Sequence, residues 1–263
     1  MRGVLKHINM QSGIQIIGLD KLPEFKPNDN IVDNMLISAK QSLGGFIDGD
    51  IVVITQKIIS KVEDCIVDLK TVSPEREALN LAKKTRKDPR LVQLILEESK
   101  RVIRVEEQRG IIITETKHGF ICANAGIDSS NVPGADYVTT LPADSNESAH
   151  SICSAIRKKM GLTHFAVIIS DTFGRPWREG QVNFAIGSSG IQPSIDYEGT
   201  VDVAGKPLRV TKIAIIDAIA AASELVCGKT NQVPVAVFRG FTFFDSTDNT
   251  TDLLRPMNKD LFR

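Results

Sequence analysis

The feature that most constrains this chain is a set of short apolar runs far apart in sequence. Ile51–Thr55 and residues 165–170 have almost no polar side chain, and residues 233–239 form a third such run near the C-terminus. A strand with no polar side must be buried by other elements, which points to a layered α/β architecture. Residues 13–19 read as one more strand, followed by a loop over 20–28. Asp29 is the expected cap of a helix whose stripe is Ile31, Met35, Ala39 and Leu43, ended by Gly44-Gly45. Ser73-Pro74 and Asp88-Pro89 each read as a cap followed by proline, so two helices are expected in succession. Ile111–Thr116 and residues 120–124 flank Lys117-His118-Gly119, a three-residue hairpin loop. Ser145–Met160 carries Ala149, Ile152, Ile156 and Met160 on one helical face before Gly161, and residues 213–226 form an alanine-rich helix. The fold class is therefore mixed α/β (α+β) with a mixed sheet, not the regular alternation of a barrel. With 263 residues, one domain over 1–263 or two interlocked lobes is expected.

Charge and cysteine usage remove other classes. The 32 basic and 32 acidic side chains cancel. A nucleic-acid binder acting through its overall field needs clustered positive charge, so no nucleic-acid partner is expected. No apolar run approaches the roughly 18 residues of a membrane span, and residues 1–12 lack the apolar stretch of a secretion signal, so the expectation is a cytoplasmic protein without a membrane partner. Cys65, Cys122, Cys153 and Cys227 are scattered, as are the four histidines. They read as reduced packing residues and not as zinc ligands. A metal here is expected to be a hard, oxygen-bound ion, magnesium or manganese.

Five segments carry chemical possibilities. Gly228-Lys229-Thr230 looks like the end of a Walker A loop. The glycine that motif needs five positions earlier is Ser223, however, and the segment follows a helix where a Walker loop precedes one. It reads as a helix-ending loop, with a phosphate contact of another kind left open. In residues 124–132, glycine and short polar residues follow a strand and form a backbone-rich concavity. Asp128 is a candidate metal ligand and Asn131 a candidate nucleotide contact, against a plain Asx turn. In residues 168–175 an apolar strand delivers Asp171 at its C-terminal end and then turns at glycine, where open sheets place ligand-binding groups. A capping aspartate is the alternative. Residues 55–61 follow a buried strand and bring Lys57 and Lys61, either phosphate-binding point charges or a solvated turn. Residues 171–205, dense in glycine and charge, read as a long functional excursion outside the packed core. Asp217, alone in an apolar helix run, is expected to pair with an arginine or face a wet cleft.

Taken together, these segments resemble the coenzyme F420-0:gamma-glutamyl ligase family. The resemblance rests on TQKIISKVE at 55–63, NAGIDSSNV at 124–132, IISDTFGR at 168–175, FAIGSSG at 184–190, GTVDVAGKPLRV at 199–210, residues 217–222 and PVAVFRG at 234–240, in family order over nearly the whole chain. It implies a gamma-glutamyl ligase-like, mixed-sheet fold forming an intertwined, butterfly-shaped homodimer. The form expected is the single-domain ligase, without the flavin-binding domain of some two-domain relatives. The implied reaction is GTP- and divalent-metal-dependent addition of L-glutamate to the lactyl phosphate arm of coenzyme F420-0, then gamma-linked extension. Magnesium or manganese is the implied ion, with potassium as a further one. By motif, Leu22, Pro23, Glu24, Phe25, Gln56, Lys61 and Asn131 fall at nucleotide-binding positions, and Asp128, Asp171 and Thr172 at metal-binding positions. Asp128, Asp171 and Lys61 are the residues expected to carry catalysis. Two positions depart from the pattern. Lys229 stands where some members have an acidic metal ligand, and Ala218 where they have an acid after the aspartate. An amide ligase with another carboxylate acceptor and a non-catalytic nucleotide-binding module are the competing readings.

Overall fold

The apolar runs pair with one another. The computed structural model describes residues 13–130, 132 and 134–261. In chain order its elements are β1 Gln15–Gly18, α1 Ile31–Leu43, β2 Ile51–Thr55, α2 Gln56–Val62, β3 Ile66–Asp68, α3 Arg76–Thr85, α4 Pro89–Glu97, β4 Ser99–Glu106, β5 Ile111–Thr116 and β6 Ile121–Ala123. There follow β7 Tyr137–Thr139, α5 Ser145–Met160, β8 Ala166–Arg175, β9 Arg178–Ser189, β10 Ser194–Asp196, β11 Lys212–Ala214, α6 Ile215–Cys227 and β12 Val235–Arg239. The main sheet has the order β1-β12-β2-β8-β9. Only β2 and β8 run parallel; the other neighbours are antiparallel. The expected mixed α/β class is therefore observed, with a mixed sheet at its centre.

Alternation along the three inner strands explains why they are apolar throughout. Val52, Ile54, Val167, Ile169, Val235 and Val237 face one side and pack with Met35 and Ala39 of α1 and Ala149, Ile152 and Ile156 of α5. Ile51, Val53, Ala166, Ile168, Ala236 and Phe238 face the other and pack with Ile216, Ile219 and Ala220 of α6. Helices cover both faces, so neither face carries polar side chains. A separate three-stranded sheet, β4-β5-β6, packs Ile112 against Ala78, Ala82, Val92 and Ile95 of α3 and α4. No helix among the described residues is long and apolar enough to cross a membrane.

Several expectations need correction. The cap of α1 is Asn30, whose side chain accepts from the Asp33 amide; the Asp29 carboxylate instead accepts from the amide of Lys26 at 2.7 Å. α3 starts at Arg76, two residues beyond Pro74, because the Gln93 side chain of α4 takes the Glu75 amide at 2.9 Å and holds the chain extended there. β4 escaped the pattern search because Lys100, Arg101 and Arg104 interrupt it; charged residues suit its place at a sheet edge. Residues 55–61 are not a turn, since all but Thr55 belong to α2. Nor does the chain turn at Gly174: β8 runs on to Arg175, so Asp171 lies within a strand. The glycine-rich 171–205 stretch is largely sheet, because β9 contributes buried Asn183, Ala185, Ile186 and Ser188.

The pairing of β8 with β9 breaks register next to Asp171. Ile169 pairs with Gly187 while Ser170 pairs with Ala185, so Ile186 is an extra residue on β9. Such a bulge takes a backbone amide out of the ladder. The Asp217 carboxylate accepts from the Ala185 amide at 3.0 Å. This corrects the expectation of an arginine partner. Burial pushes the Asp217 carboxyl up, and the Ala185 amide partly offsets it. Across the bulge, Gly187 lets α5 sit directly on the sheet: a Cβ there would lie 2.1 Å from the Ser145 carbonyl oxygen. At the opposite end of the sheet Asp50, fully buried, accepts from Nε and Nη2 of Arg239, both at 2.8 Å, and from the Ile47 amide at 2.9 Å. Removing one partner of a buried pair leaves an uncompensated charge. Arg239→Leu is expected to lower stability by about 3–5 kcal/mol, measured by urea unfolding.

Candidate active site

The parallel pair β2 and β8 ends on one side of the sheet, with Thr55 beside Ser170. A cleft of about 1190 Å³ opens there, lined by residues 22–25, the start of α2, the 122–130 segment, β8 from Ser170, and the loop after α6. Loops at the C-terminal ends of parallel strands are the usual place for ligands in such sheets. Leu22, Pro23, Glu24, Phe25, Gln56, Lys61, Asp128, Asp171 and Thr172, all singled out from the sequence, line this cleft. Asn131 lies outside the described residues.

Each side chain is positioned by its own element. α2 begins where β2 ends, and its i, i+4 spacing puts Lys57 and Lys61 on one face. Lys61 is 9% exposed, with Nζ 3.6 Å from Glu24 Oε1. Gln56 is buried; its Nε2 donates to the Thr140 carbonyl at 3.0 Å, and its Oε1 has no partner among the described residues. After β6 the chain makes a left-handed turn, with φ of 52° at Asn124, 55° at Ala125 and 72° at Gly126. Two consecutive non-glycine residues at positive φ are strained, and such strain gathers at functional sites. The turn delivers Asp128, whose backbone bridges to Thr139.

Asp128 is held by three donors. Lys57 Nζ lies 2.8 Å from Oδ2, the Ser130 amide donates to Oδ1 at 2.7 Å, and the Ser130 hydroxyl donates to Oδ2 at 3.1 Å. Lys57 also donates to the Ser130 hydroxyl. Burial pushes the Asp128 carboxyl up, but Lys57 and Ser130 outweigh it and leave it below the ordinary carboxylate range. Asp171 behaves oppositely. It is raised to about 6: burial is the largest cause and the charge of Asp128 adds to it, against the Thr172 amide, Lys57 and Lys229, which lower it. Its neighbour Thr172 projects from the other face of β8. There the Thr172 hydroxyl donates to Asn183 Oδ1 at 2.8 Å and accepts from Lys229 Nζ at 2.7 Å. Asn183 Nδ2 donates to Glu224 Oε2 at 3.0 Å, and Lys229 Nζ lies 3.3 Å from Glu224 Oε1. The loop after α6 is thus a helix-ending loop, as its inverted order indicated.

This donor set fits a hard divalent ion. Asp128 and Asp171 repel each other across the cleft and offer only oxygen, the preference of magnesium and manganese. No group of three or more His, Cys, Asp or Glu is gathered for a metal among the described residues. Two carboxylates suit an ion that keeps waters and binds substrate phosphate, and not a closed protein cage. A thiol nucleophile is disfavoured: burial pushes Cys122 up to about 12, and the charge of Asp171 adds to this. All four cysteines are free. Asn183 and Glu224 were not singled out from sequence as site residues, and Lys57 was raised there only as a possible phosphate-binding charge beside Lys61, with no role carried over from the family motif. For Lys57 the signal existed, since a helical reading of 55–61 puts it beside Lys61.

Comparison with known proteins identifies the family. The family model for F420-0:Gamma-glutamyl ligase matches residues 20–240. Coenzyme F420:L-glutamate ligase of Methanothermobacter thermautotrophicus is 41% identical over 254 residues, covering 95% of this chain and 99% of the relative. The protein of the same name from Methanocaldococcus jannaschii is 41% identical over 251 residues, covering 95% and 97%. That from Methanopyrus kandleri is 35% identical over 259 residues, covering 95% and 99%.

Asp171→Asn separates site from scaffold. In metal-free protein the folded state holds the Asp171 proton more tightly than the unfolded chain, so this group's contribution to stability falls as pH rises from 3.8 to about 6. The near-isosteric amide removes that slope. The expected outcome is a melting temperature at pH 7.5 equal to or above wild type, with manganese affinity reduced at least about tenfold in calorimetry, the loss of one charged ligand.

Proposed function

The chain belongs to the F420-0:gamma-glutamyl ligase family, and from that membership we propose that it joins L-glutamate to coenzyme F420-0 at the expense of GTP, with a divalent ion bound. The observation that carries this reading is the convergence of Asp128, Asp171, Lys57 and Lys61 at the C-terminal ends of the parallel pair. A carboxylate does not react with an amine until it is activated. Here a terminal carboxylate oxygen of the acceptor attacks the γ-phosphorus of GTP, and GDP leaves with the bridging electrons. The amino nitrogen of glutamate, having lost a proton, then attacks the acyl carbon and expels inorganic phosphate. The first bond joins the α-amino group to the lactyl carboxylate; later ones are gamma-linked.

Magnesium or manganese held by Asp128 and Asp171 would neutralise phosphate charge. Potassium is a further candidate ion. The chain's own groups do the positioning. Lys61, fixed in α2 and nearly buried, supplies a point charge for phosphate. Leu22, Pro23, Glu24 and Phe25 form one wall beside it, and Gln56 offers an unpartnered acceptor. Phosphoryl transfer asks little else of a protein than positioning and charge. Because Cys122 is held as a thiol, activation through the substrate's own carboxylate is favoured over a covalent enzyme intermediate. The nucleotide and the acceptor are cytoplasmic reactants, so the enzyme is assigned to the cytoplasm.

The working form proposed is a homodimer. The excursion between β10 and β11 leaves Val201, Val203 and Val210 strongly exposed, an apolar set that a second copy would cover. Light scattering is expected to give about twice the 28.8 kDa chain mass; a value near one chain mass counts against the dimer. For the chemistry, the acceptor's terminal carboxylate oxygens are labelled with heavy oxygen and the released phosphate is analysed. One labelled oxygen per phosphate is expected. Unlabelled phosphate with full amide yield overturns the acyl phosphate, and no phosphate release with GTP, manganese, glutamate and acceptor overturns the ligase reading.

A further inference from the structure

Besides the residues that family resemblance brings to the cleft, the charged side chains lining it include Lys57, Glu224 and Lys229. Glu24, Asp128, Asp171 and Glu224 bring negative charge, while Lys57, Lys61 and Lys229 bring positive charge. With all of them ionised the cleft carries a net charge of about −1 and is, without a metal, a poor host for a polyanion. A divalent ion between Asp128 and Asp171 only cancels the two carboxylates that hold it. The sign of the remaining field therefore rests on the lysines. Lys57 is committed to Asp128 at 2.8 Å, and Lys61 sits on the Glu24 side of the cleft.

Lys229 stands on the opposite wall and is held in an unusual way. Its Nζ donates to the Thr172 hydroxyl at 2.7 Å and lies 3.3 Å from Glu224 Oε1. Thr172 in turn donates to Asn183, and Asn183 donates to the other oxygen of Glu224, which closes a ring of four side chains. An ammonium has three donors; Thr172 takes one, and Glu224 stands within ion-pair distance. The ring uses the Thr172 hydroxyl as donor to Asn183 and as acceptor from Lys229, so a metal ion approaching that oxygen meets a like charge. The side chain of Lys229 remains 59% exposed to the cleft.

We propose that Lys229 is a fixed cation that binds the polyphosphate of the nucleotide on the Thr172 wall. This deepens the nucleotide reading given above and rests on it. With one divalent ion bound the cleft is about +1; neutralising Lys229 brings it to zero, and reversing its charge brings it to about −1. Lysine anchored by a hydroxyl and a carboxylate gives up little side-chain freedom on binding an anion, which favours affinity.

The test compares wild type, Lys229→Met and Lys229→Glu by calorimetry with GTP and with inorganic triphosphate, each with manganese, at 50 mM and 500 mM salt. Thermal melting runs alongside and is expected to be nearly unchanged, because the side chain is largely exposed. At low salt Lys229→Met is expected to weaken both ligands about tenfold and Lys229→Glu more, with the gap narrowing at high salt as screening sets in. Affinities within twofold of wild type in both variants overturn the inference and leave the nucleotide reading standing. Loss of GTP affinity with triphosphate affinity unchanged also overturns it, since the contact would then not be to phosphate. Wild type that binds neither ligand overturns both.

Discussion

The site depends on a register break. One extra residue, Ile186, separates the pairing of Ile169 with Gly187 from that of Ser170 with Ala185. Beyond the break β8 leaves the packed core, and its next residues, Asp171 and Thr172, line the cleft. The break costs one ladder hydrogen bond, and Asp217 supplies the replacement from α6. A carboxylate in an apolar helix is thus explained by a single backbone amide, and the same contact ties α6 to β9, the strand paired with the one that carries Asp171 and Thr172. Because α6 ends in the loop bearing Lys229, the two walls of the cleft are anchored to each other through Asp217.

Charge is distributed unevenly across β8. Alternation sends Asp171 and Thr172 to opposite faces. On the first, Lys57 and Ser130 hold Asp128 ionised, while burial raises Asp171 and the charge of Asp128 adds to it. On the second, hydroxyl, amide, carboxylate and ammonium close on themselves. Two carboxylates shifted in opposite directions on one side and a neutral ring with a spare donor on the other suit an ion and an anion lying side by side. Oxygen atoms of cleft-lining residues remain unpaired: Ser170 Oγ, Asn124 Oδ1 and Gln56 Oε1 are buried without partners among the described residues. Buried polar atoms without partners cost stability, and their gathering around one cleft is the pattern of a site shaped for a ligand.

Much of this was legible in the sequence, and what escaped has specific causes. The strands β2, β8 and β12 were plain because burial on both faces removes polar residues altogether. α1, α4 and α5 announced themselves through glycine, proline and apolar period. The α2 segment was not recognised as a helix because seven residues are too few to display a helical period, so phosphate-binding lysines and a solvated turn both stayed open there for Lys57 and Lys61. β4 was hidden by the charges that protect its edge. The length of β8 was misjudged because Gly174 looked like a stop; the turn comes later, at Pro176-Trp177, where Trp177 takes φ of 65°. Asp217 could be flagged as anomalous but not explained, since its partner is a backbone amide 32 residues away. Contacts of that kind leave no residue-type signature. The network around Lys229 was invisible for the same reason: its members come from β8, β9 and α6.

The strand order β1-β12-β2-β8-β9 has a consequence for how the molecule comes into being. Ile16 pairs with Phe238 and Ile54 with Val235, so the second position of the sheet belongs to a strand made last. During synthesis β1 and β2 emerge early and wait with open edges for a partner nearly two hundred residues downstream. Long-range pairing of this kind is slow and leaves apolar edges exposed meanwhile. Neither the sheet nor the cleft at its end can form before β12 has been made. The candidate site is thereby withheld until the last strand of the sheet is in place, and the newborn chain needs protection from aggregation until then.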